Sequence, residues 1–296
     1  MMNDVIILGS GPGGLTAALY CARAGKSTLV LGGNTLGGQM STIAELENYP
    51  GFLGSGAALS EKMKSQAEMF GAKVIFASVK VIKNKESGFA VITDDGKEYE
   101  SRAVIIATGA SPRKLEIAGT REFMGRGVSY CATCDGFFYS GRNILVIGGG
   151  NSALNDALYL ANIAKSVKIL YRKDSFARAE KVLIDRVNAT ENIFVMWNTE
   201  LAEVGGDDSG VTFATTTGGD KIDCDGVFVA IGHEANTDYL PESIKRDELG
   251  RLIPEELPAG MFVAGDVRSG LKMQIATAVG TGCDCAMDAV AYLNRK

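Results

Sequence analysis

The sequence predicts an α/β protein of two similar parallel-sheet domains, and three observations carry the prediction. Val5-Ile6-Ile7-Leu8 is a continuous apolar run that leads into Gly9-Ser10-Gly11-Pro12-Gly13-Gly14 and then a small-residue helix, Leu15 to Ala24. The same order returns in Asn143 to Ile147, Gly148-Gly149-Gly150-Asn151-Ser152-Ala153 and a helix from about Ser152 to Ala164. Each unit also has a later apolar strand ending in glycine, Val104 to Gly109 and Val227 to Gly232. Unbroken apolar runs suit parallel strands buried on both faces. A glycine-rich turn between strand and helix lets the backbone approach a pyrophosphate at the helix N-terminus. The repeat therefore reads as two Rossmann-like dinucleotide-binding domains.

Bulk properties agree with this and exclude some partners. A chain of 296 residues with 46% hydrophobic and 22% charged content can bury two cores. A net charge of −5 argues against nucleic acid. The 37 glycines cluster in short motifs, as nucleotide loops would have them. Met1-Met2-Asn3-Asp4 runs straight into the first strand with no basic region or cleavage site, so no leader is expected. No apolar run is long enough to span a membrane. The 6 cysteines, with no secretory signal, read as thiols of a reducing compartment, and the cytoplasm is expected.

Taken in order, Gly25 ends the first helix and Thr28 to Leu31 is the second strand. That strand ends in Leu31-Gly32-Gly33, with no acidic residue for a ribose. Leu36 to Met40, containing Gly38 and Gln39, and Glu47 to Gly51, containing Asn48, are loops whose amides suit a flavin ring or its ribityl chain. Ser60 to Phe70 reads as an amphipathic helix. Val74 to Lys83, Phe89 to Thr93 and Glu98 to Glu100 read as strands around an Asp94-Asp95-Gly96 turn. The strand ending in Thr108 and Gly109 could sit against a cofactor, and Ala110 to Arg113 reads as a domain boundary. In the second unit, Val167 to Tyr171 ends in Tyr171-Arg172-Lys173, with Arg178 nearby. Cations here suit a 2′-phosphate, so this site leans to NADP(H). After Pro254 and Pro258, Met261 to Asp266 is a strand delivering Gly265 and a carboxylate suited to ribityl hydroxyls. The last helix, about Gln274 to Leu293, carries Cys283 and Cys285, which read as packing because residues two apart do not face each other.

Between the two glycine loops lies Cys131-Ala132-Thr133-Cys134-Asp135-Gly136. Such a spacing closes a small disulfide ring that can be oxidised and reduced without unfolding. An adjacent carboxylate can move the proton that the exchange shuffles. Structural zinc usually takes about four ligands. With His233 the sole histidine and no second C-x-x-C, no metal site is expected.

Together these motifs resemble the low-molecular-weight, bacterial and archaeal type of thioredoxin reductase, a class of FAD-dependent pyridine nucleotide-disulfide oxidoreductases. The resemblance covers essentially the whole chain. It is carried by Gly9 to Gly14, Gly37-Gly38-Gln39, Glu47 to Gly51, Ala107-Thr108-Gly109, Cys131 to Phe138, Gly148 to Ala153 and Ala264-Gly265-Asp266. It implies an FAD domain (1–113 and 244–296) interrupted by an NADPH domain (114–243) that carries the redox cysteines, each a three-layer ββα unit. It implies a homodimer that passes electrons from NADPH through FAD to Cys131–Cys134 and on to thioredoxin. Cys134 would face the flavin, Cys131 would attack thioredoxin, Asp135 would be the acid/base, and Phe137 and Phe138 would touch thioredoxin. The FAD contacts implied are Gly9, Gly11, Gly14, Gly38, Gln39, Asn48, Thr108, Gly109, Gly265, Asp266 and Gln274. The nucleotide contacts are Gly148, Gly150, Asn151, Ser152, Ala153, Arg172, Lys173 and Arg178. The resemblance also implies a rotation of the inserted domain about linkers near Arg113–Thr120 and His233–Leu240. The chain departs from the pattern twice: Tyr171-Arg172-Lys173 stands where His-Arg-Arg is usual, and Met273 precedes Gln274 where arginine is usual. NADH, ferredoxin or a deazaflavin as donor, and a non-catalytic flavin redox sensor, stay as alternatives.

Overall fold

A computed structural model describes residues 2–43 and 45–295. They divide into two compact units. One runs to Ser111 and resumes at Glu234, and the other is Pro112–His233.

The first unit opens with β1 (Asn3–Leu8), α1 (Pro12–Arg23) and β2 (Thr28–Leu31). Proline at the first helical position costs no hydrogen bond, since that N–H would be orphaned anyway. Then come α2 (Gly56–Met69), β3 (Lys73–Ile75), β4 (Val79–Lys85), β5 (Gly88–Thr93), β6 (Glu98–Ile106) and β7 (Ala110–Pro112). Helix α2 begins earlier than the expected Ser60, because Ser55 caps it by accepting the Ala58 N–H at 3.2 Å. The strand expected over Val74 to Lys83 is two strands. β3 pairs in parallel with β2, and β4 pairs antiparallel with β5. Between them Ala77 O and Ser78 O accept from Gly33 N and Asp94 N, which turns the chain. Conversely, Glu98 to Glu100 and Val104 to Gly109 were expected as separate strands, yet β6 is continuous. Its first half pairs antiparallel with β5 while its second half pairs in parallel with β1.

The second unit contains β8 (Val128–Ser129), α3 (Ala132–Asp135), β9 (Asn143–Ile147), α4 (Asn151–Ala161), β10 (Ser166–Tyr171), α5 (Lys181–Ala189) and β11 (Ile193–Trp197). An antiparallel set follows, β12 (Leu201–Asp207), β13 (Gly210–Thr216) and β14 (Lys221–Asp223), and then β15 (Gly226–Val229); β16 (His233–Ala235) lies at the crossing back to the first unit. Its main sheet is parallel, in the order β11-β10-β9-β15-β8. Alternate residues of these strands serve opposite layers. Ile144, Val146, Val167, Ile169 and Phe228 pack on the helices with Leu154, Ala157 and Leu160. Leu145, Ile147, Leu170, Val227 and Val229 pack on the antiparallel set with Val204, Ala214 and Ile222. This is a three-layer ββα unit.

The chain then returns to the first unit with β17 (Met261–Val263), which joins β6, and α6 (Ile275–Asn294). Here too the layers alternate. Val5, Ile7, Val30 and Ile105 face the layer of Ala17, Cys21 and Ala286, while Ile6, Leu8, Leu31, Val104 and Ile106 face that of Ile82, Val91 and Leu252. Burying each such side chain contributes roughly 1.5–3 kcal/mol. Helices α1 and α6 lie so close that a Cβ on Gly282 would stand 2.3 Å from the Gly13 carbonyl oxygen.

The second crossing point differs from the expected 243/244. Residues 234–243 belong with the first unit, because Leu240 is buried in its apolar layer with Tyr239 against it. Asn236 Nδ2 donates to Thr108 O at 2.9 Å and fixes the segment. Among the described residues no helix is long and apolar enough to cross a membrane.

Candidate active site

Cys131 and Cys134 are joined in a disulfide with their Cα atoms 5.3 Å apart. Strand β8 ends at Ser129, and the chain turns at once into the short helix α3. Cys131 is its N-cap, and its Sγ accepts the Cys134 N–H at 3.2 Å. The Asp135 N–H donates to Cys131 O at 3.1 Å, closing the turn. Ser129 joins the group: its Oγ donates to Asp135 Oδ2 at 2.6 Å and accepts the Cys131 N–H at 3.0 Å. Gly136 lets the turn pack closely on α4: a Cβ there would meet Leu160 Cδ2 at 2.9 Å and the Tyr159 ring at 3.1 Å. Cys134 is exposed, and Cys131 and Asp135 are half-buried.

The next three residues are all aromatic, and their burial divides them. Tyr139 packs edge-on against Phe228 with ring centroids 5.4 Å apart. Phe137 and Phe138 point out, 76% and 78% exposed, in an edge-to-face pair. Two adjacent phenylalanines thus stand in water beside the disulfide.

The two glycine loops repeat one division of labour. Gly9 has φ +104°, and a Cβ there would lie 2.3 Å from Ala107 O. A Cβ on Gly14 would lie 2.0 Å from Gly9 O, so Gly14 seats α1 against β1. Gly11 is open, with only Gly37 O near, at 3.9 Å. In the second unit Gly148 has φ +140° and a Cβ there would lie 2.2 Å from Ala230 O, Gly150 is open, and Ala153 is fully buried. Each loop thus has one glycine for the turn, one left bare, and a small residue for packing.

The structure gathers the expected first-unit residues at the C-terminal ends of β1, β6 and β17. A Cβ added to Gly38 would lie 3.9 Å from Gly11 Cα, and one added to Gly13 would lie 3.3 Å from Gly265 N. Gln39 Nε2 donates to Ala110 O at 2.8 Å, and Asn48 Nδ2 donates to Gln274 Oε1 at 3.2 Å. The Thr108 hydroxyl donates to Asn236 O at 2.8 Å and lies 3.0 Å from the Tyr239 hydroxyl, so it is already engaged within the unit. Gly109 is open. Asp266 is the exception: half-buried, it receives no hydrogen bond from any described residue, and burial raises its carboxyl above the ordinary range. A desolvated acceptor beside bare glycine backbone fits a ligand that brings hydroxyls and phosphates.

In the second unit the side chain expected to meet nucleotide is otherwise occupied. Asn151 Nδ2 donates to Glu180 Oε1 at 2.7 Å, and the Glu180 N–H donates to Asn151 Oδ1 at 2.8 Å. This reciprocal pair ties the loop after β10 to the start of α4, beside exposed Ser152. Phe176 anchors the same loop, stacked on Tyr171 and tilted 4.5 Å from Trp197. Tyr171 lies over the glycine loop, where a Cβ on Gly149 would meet its ring at 2.5 Å. Arg172, Lys173 and Arg178 are exposed on this loop, and none forms an ion pair with a described residue. Sequence reading missed Ser129, Glu180, Phe176 and Trp197. A serine two residues before a cysteine, or a glutamate after an irregular loop, has no periodic signature.

The other four cysteines are free thiols. Burial pushes Cys21 and Cys224 up to about 12, and it raises Cys285 too. The expected packing role holds for Cys285. Cys283 differs, being half-buried, with its thiol 3.9 Å from Met287 Sδ.

Residues 3–282 match the family described as pyridine nucleotide-disulphide oxidoreductase. A thioredoxin reductase of Rickettsia felis is 41% identical, over 99% of both chains. A glucosaminate ammonia-lyase of Pseudomonas fluorescens is 42% identical, over 99% of this chain and 96% of its own. The crystal structure of Lactococcus lactis thioredoxin reductase superposes with a TM-score of 0.95 at 38% identity, covering 99% of this chain and 100% of that one.

Proposed function

The chain belongs to the pyridine nucleotide-disulphide oxidoreductase family, and within it we propose a thioredoxin-disulfide reductase driven by NADPH through bound FAD. The observation that carries this is a disulfide and a carboxylate in one turn, Cys131–Cys134 and Asp135, on a unit that also holds a nucleotide loop. FAD, when bound, supplies the two-electron link between a nicotinamide and a disulfide. The first unit would hold it: the open backbone at Gly11, Gly38 and Gly109 would approach the cofactor, and Asp266 would accept from its hydroxyls. The second unit would hold NADPH, with Gly148 to Ala153 under the pyrophosphate and Arg172, Lys173 and Arg178 facing the 2′-phosphate.

In the reduced enzyme the Cys131 thiolate attacks one sulfur of the thioredoxin disulfide. The thioredoxin S–S bond breaks, a Cys131–thioredoxin disulfide forms, and the leaving thiolate takes a proton from water. Cys134 gives its proton to Asp135 and attacks Cys131 Sγ, which restores the internal disulfide and releases the second thioredoxin thiolate. Two electrons leave the dithiol, and Asp135 hands its proton to the departing sulfur. In the oxidised turn the Cys134 N–H donates to Cys131 Sγ. Phe137 and Phe138 form the apolar part of the thioredoxin contact. We place this chemistry in a cytoplasmic homodimer.

The test is anaerobic titration of the purified flavoprotein with NADPH, NADH and reduced ferredoxin, followed by thioredoxin-coupled turnover. NADPH should bleach the flavin and support thioredoxin reduction. Bleaching by ferredoxin alone would replace NADPH as donor, and bleaching without thioredoxin turnover would point to the sensor. Glucosaminate serves as a control, and no ammonia release is expected, since elimination needs no thiol pair.

A further inference from the structure

Ser129 is 3% exposed and sits where β8 meets the redox turn. Its hydroxyl proton can go to one acceptor only. Cys131 O lies 3.3 Å away and Asp135 Oδ2 lies 2.6 Å away, so the proton goes to the carboxylate. The lone pair on the other side takes the Cys131 N–H at 3.0 Å. A serine that only satisfied the turn backbone would need the acceptor side alone. Here the donor side is committed to the acid/base, and the same oxygen joins that group to the backbone of the attacking cysteine.

We propose that Ser129 is a positioning residue for disulfide exchange, holding Asp135 through Oδ2 so that Oδ1 is left to carry the thiol proton. This rests on the reading of Asp135 as proton carrier. In the exchange, Oδ1 takes the Cys134 proton and returns it to the leaving thioredoxin thiolate. The Ser129 proton stays on Oγ throughout, so no atom or electron is added to the reaction. Without the hydroxyl, Asp135 keeps its chemistry but loses its fixed rotamer.

The experiment uses flavin-loaded, full-length enzyme with thioredoxin as substrate, comparing Ser129→Ala, Ser129→Thr, Asp135→Asn and the Ser129→Ala/Asp135→Asn double variant. A lost hydrogen bond to a charged group corresponds to roughly 10-fold in rate. Ser129→Ala should therefore lower kcat about 10-fold, with the KM for thioredoxin and the rate of flavin reduction by NADPH each within about twofold of wild type. Ser129→Thr, which keeps the hydroxyl on a strand that suits a β-branched residue, should recover most of the loss. In the Asp135→Asn background Ser129→Ala should cost little more, because groups acting as a unit are not additive. Equal losses in both backgrounds would overturn the proposal and leave Ser129 as a support of the turn. So would a Ser129→Ala enzyme at wild-type rate. If Asp135→Asn alone were harmless, the proton-carrier reading itself would fail and take this inference with it, an outcome separable from the others. Should Ser129→Ala yield no flavoprotein, Ser129→Gly carries the same expectation.

Discussion

Replacing Arg172 by alanine should separate recognition of the 2′-phosphate from everything else the second unit does. The side chain is exposed, and removing it breaks no ion pair among the described residues. The loop is held by other groups: Phe176 against Tyr171 and Trp197, and Glu180 against Asn151. Truncation should therefore leave the loop in place and delete only a charge. A hydrogen bond to a charged group contributes about 1.5–3 kcal/mol. An exposed site at physiological salt sits at the low end, because counter-ions screen within about 8 Å. At about 1.4 kcal/mol per decade, the KM for NADPH should rise roughly 10-fold. Lys173 is a point charge without the arginine fork, so it should not replace the lost contact. NADH has no 2′-phosphate, and its KM should move by less than about twofold. Steady-state kinetics with both nucleotides at two ionic strengths make the measurement, and the penalty should shrink as salt rises. Equal damage to NADH and NADPH would refute the reasoning and make Arg172 a support of the fold.

Three further outcomes follow from the same geometry. Cys131→Ser and Cys134→Ser should each abolish thioredoxin reduction and leave the flavin spectrum intact, since both sulfurs are needed for exchange and neither for the first unit; turnover at wild-type rate by either variant would sink the assignment. Asp135→Asn keeps shape but cannot carry a proton, so kcat should fall about 10²–10⁴-fold in a stopped-flow or coupled assay, and a fall under twofold would send the proton by another route. Burial pushes Asp156, on α4, up to about 7. Its folded form prefers the neutral acid, so its contribution to stability is greatest at low pH and is lost as pH rises from about 4 through 7. Asp156→Asn should accordingly raise Tm by a few degrees at pH 8 and by less at pH 5; an equal gain at both would exclude the ionisation as its cause.

The two nucleotide units were legible in the sequence because their signals are local. A bare glycine, a turn glycine and a packing glycine must stand at fixed spacing between one strand and one helix, and Gly9, Gly11 and Gly14 do so. The redox turn was legible for the same reason, since two sulfurs and a carboxylate lie within five residues. What stayed hidden depends on distant pairing. Nothing near Lys83 says that β4 leaves β3 for β5, because the reason lies in the backbone of Gly33 and Asp94. The stretch from α5 to β14 gave no expectation at all. Its strands are short, and β12 and β13 carry glycines at Gly205, Gly206 and Gly210 that blur the alternation.

The side chains at the expected cofactor positions show where motif reading stops. Thr108 bonds Asn236, Gln39 bonds Ala110, Asn151 bonds Glu180, and Asn48 bonds Gln274. These groups hold the loops in shape before any ligand arrives, so much of their contribution is to preorganisation. What remains for a ligand is bare backbone at the open glycines, together with Asp266 and three cations that have no partner among the described residues. Backbone binds any pyrophosphate alike. On the proposed reading, discrimination between donors falls to Arg172, Lys173 and Arg178, where Tyr171-Arg172-Lys173 stands in place of the expected His-Arg-Arg. That loop is held by the aromatic cluster at Phe176 and by the Asn151–Glu180 pair. Arg178 thus has a fixed loop to work from, and on the proposed reading its reach to a 2′-phosphate is decided by its own rotamers.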